Sequence, residues 1–282
     1  MSALVSVENL RVAFPSEDGG RSEAVKGVSF SLGREKLGIV GESGSGKSLS
    51  GRALLGVLPD YAHVSADAMS FDGIDLLTAS NKVRRKLRGG RMGMILQDPK
   101  FSLNPVMKVG KQIVEAIRIG DRAMSGAAAR KKALDVLEAV HIRAPERVFE
   151  LYPHELSGGM GQRVMIAMMV VREPDLLIAD EPTSALDVTV QNQVLAIMDE
   201  LVTRRGMGLI FISHDLNLVA KFCDRVLVMY AGRIVESLRA DQLRDAQHPY
   251  TQGLLACLPS IDGPLTPLPV LQRQASWAEV SP

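Results

Sequence analysis

A loop rich in glycine and serine lies early in the chain and ends in a lysine and a hydroxyl side chain. The spacing from Gly41 to Gly46, Lys47 and Ser48 matches the pattern GxxxxGK[ST] of phosphate-binding loops. Glycines let the backbone turn its N–H groups towards a phosphate, and the N-terminal end of a following helix attracts the same anion. The lysine can reach the outer phosphates, and the serine hydroxyl can ligate Mg²⁺. We therefore assign binding of a phosphate-bearing cofactor to Gly41, Glu42, Ser43, Gly44, Ser45, Gly46, Lys47, Ser48 and the adjoining Leu49.

Two acids end a later apolar run, in which residues 176–179 are followed by Asp180 and Glu181. Ligands of α/β sheets lie at the C-terminal ends of strands. Asp180 is suited to hold Mg²⁺ through water, because this ion keeps several of its waters. Glu181 is suited to polarise the water that attacks a γ-phosphate. The alternative is an acid pair that only satisfies backbone donors at a helix N-terminus, and the phosphate loop favours the first interpretation.

The elements that must position these residues follow from the apolar pattern. Continuous apolar runs predict strands buried on both faces, at 37–40, 92–96, 176–179, 209–212 and 225–230. Helical patterns occur between them, at 47–58, 188–205 and 215–222. Strands that alternate with helices predict a largely parallel sheet. Residues 4–14 and 25–32 alternate apolar and polar side chains and predict antiparallel strands, whereas 107–171 shows only helical periodicity and predicts an inserted helical segment.

The composition argues against several classes of function. The chain has 282 residues with 33 basic and 32 acidic side chains, a balance that gives no reason to expect a nucleic-acid partner. Aromatic residues make up 4% of the chain, so platforms for base stacking are not expected either. No apolar run approaches the ~20 residues that cross a bilayer. The two cysteines, Cys223 and Cys257, are far apart, which favours separate thiols in a reducing compartment over a disulfide or metal site.

A second glycine pair precedes the strand that ends in the acids. Leu156 to Met160 reads LSGGM, which places a hydroxyl and two glycines before a predicted helix at 160–171. This segment is a second candidate anion-binding site, or anion cradle. It resembles the LSGGQ signature of ABC ATPases, which also lies shortly before the strand that ends in the acids. Since one nucleotide needs one phosphate loop, a second cradle makes sense if it serves a nucleotide held by another chain. The resemblance implies a head-to-tail dimer in which this cradle contacts the partner's nucleotide through Ser157, Gly158 and Gly159.

Four further segments carry the same resemblance. Gln97 with Asp98 and Pro99 is similar to the Q-loop, and Asp187 ends a segment similar to the D-loop. His214 is similar to the switch histidine that contacts the γ-phosphate. Phe14 is the candidate to stack on adenine, although an aromatic residue in an alternating strand more often belongs to the core. The resemblance implies catalytic roles for Glu181, His214 and Gln97, nucleotide contacts for Phe14 and Asp187, and metal contacts for Ser48, Gln97 and Asp180.

The resemblance covers roughly residues 4–270 and implies an α/β fold. We expect a P-loop NTPase (RecA-like) core with an N-terminal antiparallel β subdomain, an inserted α-helical subdomain and a short C-terminal extension. The expected boundaries place the two parts of the core at 1–97 and 172–240, the helical insertion at 98–171 and the extension at 241–282. ATP with Mg²⁺ is the expected cofactor pair.

Several short sequence segments are similar to those of the ATPases of dipeptide, oligopeptide and nickel importers. They include the SLNP run at 102–105, the YPHELSGGM run at 152–160 and the HPYT run at 248–251. This resemblance predicts an ATP-hydrolysing subunit that energises peptide uptake, located peripherally on the cytoplasmic side of the inner membrane. The alternatives are uptake of nickel, a metal chelate or another small solute and, less favoured, a soluble ABC ATPase outside transport.

The implied partners are a second ABC ATPase subunit, identical or related, two membrane permeases and, indirectly, a periplasmic solute-binding protein. No nucleic acid is expected. Two features differ from what is usual in these importer ATPases. Gly161 stands where a basic or amide residue is usual, with Arg163 as a candidate substitute, and the tail lacks the cysteine cluster that holds iron–sulfur in some members.

Overall fold

The computed structural model describes residues 3–98, 102–184, 186–258, 271 and 274–278. The chain divides into two compact units, of which the first comprises Met1–Ala79 with Ile210–Pro282 and the second comprises Ser80–Leu209. The domain boundaries expected from the sequence stay a prediction.

The elements are numbered along the chain. The strands are β1 Val5–Pro15, β2 Arg21–Leu32, β3 Lys36–Val40, β4 His63–Ser65, β5 Ala68–Phe71, β6 Ile74–Asp75, β7 Met92–Ile95, β8 Leu176–Asp180, β9 Gly208–Ser213, β10 Arg225–Tyr230 and β11 Arg233–Arg239. The helices are α1 Lys47–Leu55, α2 Asn81–Leu87, α3 Val109–Gly120, α4 Gly126–Ala139, α5 Pro145–Glu150, α6 Gly158–Val170, α7 Val188–Arg205, α8 Leu216–Phe222 and α9 Pro249–Ala256. Short 3₁₀ turns occur at Pro153–Glu155, Ala240–Asp245 and Ala275–Ala278.

The first unit contains an antiparallel sheet with strand order β2-β1-β5-β6, and β4 also pairs with β1. Val7 faces Phe30 across the central pair and Val12 faces Val25, and all four side chains are buried. The strands β1 and β2 are therefore antiparallel, as predicted, and their alternating apolar residues are the ones that are buried. The strands β4 to β6 have two to four residues each, too few to give a periodic signal.

The first unit also contains a second group of strands, of which β3 directly precedes the phosphate loop. Their order is β11-β10-β3-β9, with β3 and β10 parallel and β11 antiparallel at the edge. Four of the five residues of β3 are buried, as expected for a strand covered on both faces. Helix α1 follows the loop and ends three residues before the predicted end, because Gly56 turns left-handed (φ 64°) and its N–H bonds to the carbonyls of Arg52 and Ala53.

The second unit pairs β7 with β8 in parallel, and the helices α2 to α7 belong to it. The described residues between 107 and 171 form helices and turns and no strand, which confirms the predicted helical segment. Helix α7 begins where Asp187 accepts a hydrogen bond from the Val190 N–H and ends at left-handed Gly206. In the part of the chain that is described, no helix is both long enough and apolar enough to cross a membrane.

Candidate functional site

The phosphate loop connects β3 to α1, and glycines are required there by the fold itself. A Cβ atom on Gly41 would lie 2.1 Å from the Met229 carbonyl oxygen. Gly46 has φ 101° directly before α1, and a Cβ atom there would lie 3.0 Å from the Ala24 carbonyl oxygen. Gly44 is also left-handed (φ 82°), but a Cβ atom there would meet nothing within 4 Å. The loop is therefore closely packed on its strand side and open around Gly44.

The polar groups of the loop suit an anion. The Lys47 side chain is 5% exposed, and its Nζ donates hydrogen bonds of 2.8 Å to the carbonyl oxygens of both Gly41 and Glu42. The Ser45 hydroxyl is buried and has no hydrogen-bond partner. A buried hydroxyl without a partner is costly, and a bound phosphate oxygen would satisfy it. Ser48 and Leu49 are half-buried at the start of α1, and Ser43 is exposed.

Two more predicted residues belong to the first unit. Phe14 is half-buried near the end of β1, and its ring centroid lies 6.2 Å from that of Tyr61, which is 67% exposed. Tyr61 was not predicted, because a single tyrosine in a loop carries no periodic signal. His214 follows β9 directly with an exposed side chain, and Asp215 accepts a hydrogen bond from the Leu218 N–H at the start of α8.

The acid pair lies in the second unit at the end of β8. Asp180 is 3% exposed. Glu181 accepts a hydrogen bond of 3.2 Å from the Gln97 side-chain amide, so two residues from separate motifs meet there. The backbone of Glu181 is left-handed (φ 48°), a conformation that costs about 1–2 kcal/mol for a residue with a Cβ atom. The Ser184 hydroxyl donates to the Glu181 carbonyl oxygen (3.2 Å) and helps to hold this turn. Such strain is typical of functional sites.

The two signature glycines differ in their surroundings. A Cβ atom on Gly159 would lie 2.5 Å from Cγ1 of Val190, so this glycine is needed for packing against α7. A Cβ atom on Gly158 would meet only Leu186 Cδ2, at 4.0 Å. Gly158 is exposed. The packing of this chain therefore explains Gly159 but does not explain Gly158.

Ser157 and Asp187 both serve as helix caps. The Ser157 hydroxyl accepts a hydrogen bond from the Met160 N–H (3.4 Å), and the Asp187 carboxylate accepts one from the Val190 N–H (3.0 Å). Both residues are exposed, so the contacts predicted for them with a nucleotide remain predictions beside this local role. Pro99 of the Q-loop segment and Ala185 of the D-loop segment lie outside the described residues.

Arg163 was the candidate to replace the polar side chain missing at Gly161. One terminal nitrogen of its guanidinium donates to the His141 carbonyl oxygen (3.0 Å), and the other donates to the side-chain oxygen of Gln193. Gly161 itself is buried. These bonds disfavour Arg163 as a substitute ligand.

A glycine loop with a buried lysine between a strand and a helix, together with an acid-tipped parallel strand, defines the class of P-loop nucleotidases. Within that class, the LSGGM segment at 156–160 indicates an ABC ATPase, and the comparison with known proteins agrees with this. Residues 25–184 match the ABC transporter family.

The chain is similar to two curated transport proteins. It is 47% identical over 265 residues to the oligopeptide transport ATP-binding protein OppD of Bacillus subtilis (strain 168), covering 93% of this chain and 74% of that protein. It is 48% identical over 259 residues to the dipeptide transport ATP-binding protein DppD of Haemophilus influenzae, covering 91% and 78%.

A solved structure, described as the dimeric structure of MJ0796, a bacterial ABC transporter cassette, is also similar. Its TM-score is 0.75 at 26% identity, over 84% of this chain and 98% of that chain. A further structure of that cassette is a post-hydrolysis state bound to ADP and Pi. The chain therefore belongs to the ABC transporter family and, within it, to the group of the oligopeptide and dipeptide transport ATP-binding proteins. This membership confirms the predicted fold class and identifies an ABC-type ATPase subunit.

Proposed function

We propose that this chain hydrolyses ATP to drive the uptake of oligopeptides or dipeptides by a bacterial importer. The names of the similar proteins support peptides over nickel as the cargo. The observation that carries the proposal is the hydrogen bond from Gln97 to Glu181, one residue after buried Asp180. A subunit that only binds nucleotide needs a phosphate loop, whereas a subunit that hydrolyses it also needs a positioned base.

The phosphate loop fits the ATP phosphates. The Ser45 hydroxyl is a buried group without a partner, and Gly44 leaves the loop open. Lys47 is held by two carbonyl oxygens and can exchange these bonds for phosphate oxygens at little cost in side-chain order. Phe14 would stack on adenine, and His214 would contact the γ-phosphate.

The residues present also fit Mg²⁺. Among the described residues, no group of three or more His, Cys, Asp and Glu side chains is arranged to hold a metal ion. Mg²⁺ is usually bound by one or two carboxylates plus substrate phosphates and waters, and the buried carboxylate of Asp180 fits this kind of site. The Asp180 carboxylate, the Ser48 hydroxyl and the amide oxygen of Gln97 would hold the ion. When bound, Mg²⁺ neutralises negative charge on the phosphates.

Glu181 would act as the general base. Its carboxylate accepts a hydrogen bond from Gln97, and its backbone carbonyl oxygen accepts one from the Ser184 hydroxyl, so the side chain and the turn that carries it are both held. A carboxylate fixed in this way can take a proton from the water that attacks the γ-phosphate without first being reoriented.

We propose further that the chain works as a pair with a second ATPase subunit, identical or related. The exposed Gly158 and Ser157 would form a cradle for the nucleotide of the partner. Support comes from the similar cassette described as dimeric. The remaining proposed partners are two permeases, which would hold this subunit peripherally at the cytoplasmic side of the inner membrane, and indirectly a periplasmic solute-binding protein.

The loop at 102–105, which continues through residues 106–108 to α3, is a proposed contact for a cytoplasmic helix of the permease. Gln112, only 7% exposed, holds this loop by accepting a hydrogen bond from the Asn104 N–H (2.9 Å) and donating to the carbonyl oxygens of Asn104 (3.0 Å) and Met107 (2.8 Å). At its tip Val106 is 78% exposed. The Gln112 bonds fix the backbone of this loop, so the proposed contact surface is already formed before a partner binds.

The proposal is tested by Glu181→Gln, which keeps the shape of the side chain and removes the base. We expect ATP binding like that of the wild type and hydrolysis slowed by at least about 100-fold, within the range of general-base effects. Hydrolysis is measured as phosphate release by the purified full chain and ATP binding by calorimetry. Near-normal turnover would refute the role of Glu181.

Cargo is tested in the source organism. Deletion of the gene should stop growth on dipeptides or oligopeptides as the amino-acid source but allow growth on free amino acids. The wild-type gene should restore peptide growth, and the Glu181→Gln gene should not. Unimpaired peptide uptake in the deletion strain would refute the cargo assignment, unless a second peptide importer is present, which a double deletion controls.

A further inference from the structure

One residue of the C-terminal extension is bonded to the phosphate loop. The N–H of Glu42 donates a hydrogen bond of 3.0 Å to the hydroxyl of Tyr250 in α9, although the two residues are 208 positions apart. The carbonyl of the same peptide unit, that of Gly41, accepts a hydrogen bond of 2.8 Å from Lys47 Nζ. In a trans peptide the N–H and the C=O point in opposite directions. Tyr250 and Lys47 therefore hold opposite sides of one peptide unit.

Tyr250 is itself firmly held. It is fully buried, and its ring centroid lies 4.5 Å from that of Tyr230 and 5.9 Å from that of Trp277. The Tyr230 hydroxyl donates to the Gln274 carbonyl oxygen (3.2 Å). These rings form an aromatic cluster of Tyr230, Tyr250 and Trp277, which fixes the Tyr250 hydroxyl and so makes it a rigid acceptor.

The start of α9 is fixed as well. The Glu236 carboxylate accepts hydrogen bonds from the N–H groups of Gln247 (2.6 Å) and His248 (3.1 Å), and the Tyr250 N–H donates to His248 Nδ1 (3.2 Å). The extension is therefore anchored on β11 before it reaches the loop.

We propose that Tyr250 is a positioning residue for ATP binding, because its hydroxyl sets the orientation of the peptide between Gly41 and Glu42. The inference rests on the proposed role of this loop in holding the ATP phosphates. When Lys47 turns to the phosphates, its bond to the Gly41 carbonyl oxygen is weakened or lost. Tyr250 still holds the N–H side of that peptide, so its contribution is larger in the bound state than in the free state. Loss of the hydroxyl should therefore weaken ATP binding and not only lower stability.

The test compares Tyr250→Phe with Tyr230→Phe in the purified full chain. Each variant keeps its ring in the aromatic cluster and loses one hydroxyl, which bonds to the Glu42 N–H of the loop at Tyr250 and to the Gln274 carbonyl oxygen at Tyr230. We expect Tyr250→Phe to raise the dissociation constant for Mg-ATP about threefold, a part of the value of one neutral hydrogen bond because the bond is also present in the free protein, and Tyr230→Phe to leave it within about 1.5-fold. Calorimetry gives the constants. Trp277, the one tryptophan of the chain, reports by its emission maximum that the cluster stays packed.

The outcomes separate this inference from the proposed function. Lys47→Ala should abolish ATP binding, and if it does not, the proposed role of the loop fails. If Lys47→Ala abolishes binding but Tyr250→Phe binds ATP like the wild type, the role of Tyr250 fails alone. Equal weakening by Tyr230→Phe would also overturn it, since a general loss of packing would then be the cause.

A measurement on the wild-type chain keeps the inference testable if Tyr250→Phe does not fold. The Glu42 amide should be protected from hydrogen exchange in the free protein and stay protected with saturating ATP. Faster exchange of this amide in the ATP complex would mean that the bond to Tyr250 opens on binding, which contradicts the proposal.

Discussion

Alanine substitution at the two signature glycines separates folding from function. A Cβ atom on Gly159 would lie 2.5 Å from Val190 Cγ1, closer than non-bonded atoms approach, so α6 or Val190 must shift. Overpacking of this kind costs typically 1–3 kcal/mol, and we expect Gly159→Ala to lower the free energy of unfolding by about 1–2 kcal/mol. A Cβ atom on Gly158 would meet only Leu186, at 4.0 Å, which is an ordinary contact. Gly158→Ala should therefore change the free energy of unfolding by less than about 0.5 kcal/mol, since alanine is favoured over glycine in helices.

The functional effects should follow the opposite order. Gly158 is exposed in the cradle that we propose for the nucleotide of a partner, so an added methyl group lies where that nucleotide must approach closely. Gly158→Ala should bind ATP in its own phosphate loop with normal affinity but lose ATP-dependent dimerisation. Dimerisation is measured by light scattering in the Glu181→Gln background, and unfolding by urea titration.

A third variant checks the cause assigned to Gly159. Combined with Val190→Ala, which removes the clashing methyl groups, Gly159→Ala should cost less than the sum of the two single changes. Normal ATP-dependent dimerisation and hydrolysis by Gly158→Ala would refute the proposed cradle. Loss of stability at Gly158 equal to that at Gly159 would refute the packing argument.

Two further predictions concern a side-chain contact and a thiol. Gln97→Ala removes the donor that holds Glu181 and one proposed Mg²⁺ ligand, so phosphate release should fall about tenfold or more and by a larger factor than ATP affinity. Equal loss of both would contradict a role for Gln97 in holding Glu181. Burial raises the pKa of the Cys223 thiol to about 12, so at pH 8 only about one molecule in ten thousand carries the reactive thiolate. A disulfide reagent should therefore modify only half-buried Cys257 quickly in the native protein and both thiols in denaturant. Cys257→Ser should leave no fast reaction, and a fast native reaction of that variant would contradict the burial of Cys223.

Much of the fold could be predicted from the sequence because long buried runs carry a strong signal. The runs at 37–40 and 176–179 form β3 and β8, and the helical pattern at 188–205 coincides with α7. The short strands β4 to β6 could not be predicted, because pairing with β1 and with each other stabilises them rather than any pattern of their own. β11 was missed as well, since none of its residues is fully buried and an edge strand lacks a continuous apolar run.

The contact between Gln97 and Glu181 could have been predicted if the sequence showed that β7 and β8 are neighbouring strands. In the parallel pair of β7 and β8, Ile95 lies opposite Ala179. Gln97 and Glu181 each follow two residues later, so the register brings them to matching positions at the same sheet edge. The sequence shows both motifs but does not show that these two strands are neighbours. The bond between Glu42 and Tyr250 is harder still to predict, because it depends on how a tail segment folds back on the loop.

The strongest physical indications of function are the positions where the residue is not the one that the fold alone would favour. Glu181 has a left-handed backbone, in which glycine would be less strained, and at the end of an acid-tipped strand this agrees with the proposed role of its carboxylate. Gly158 begins a helix with open space around it, where alanine would be more stable, so the missing side chain must be required for another reason. Gly41 and Gly46, in contrast, are explained by neighbouring backbone atoms of the same chain. The strained turn at Glu181 and the glycine at 158 that the packing does not explain both agree with the proposed hydrolytic site shared with a partner.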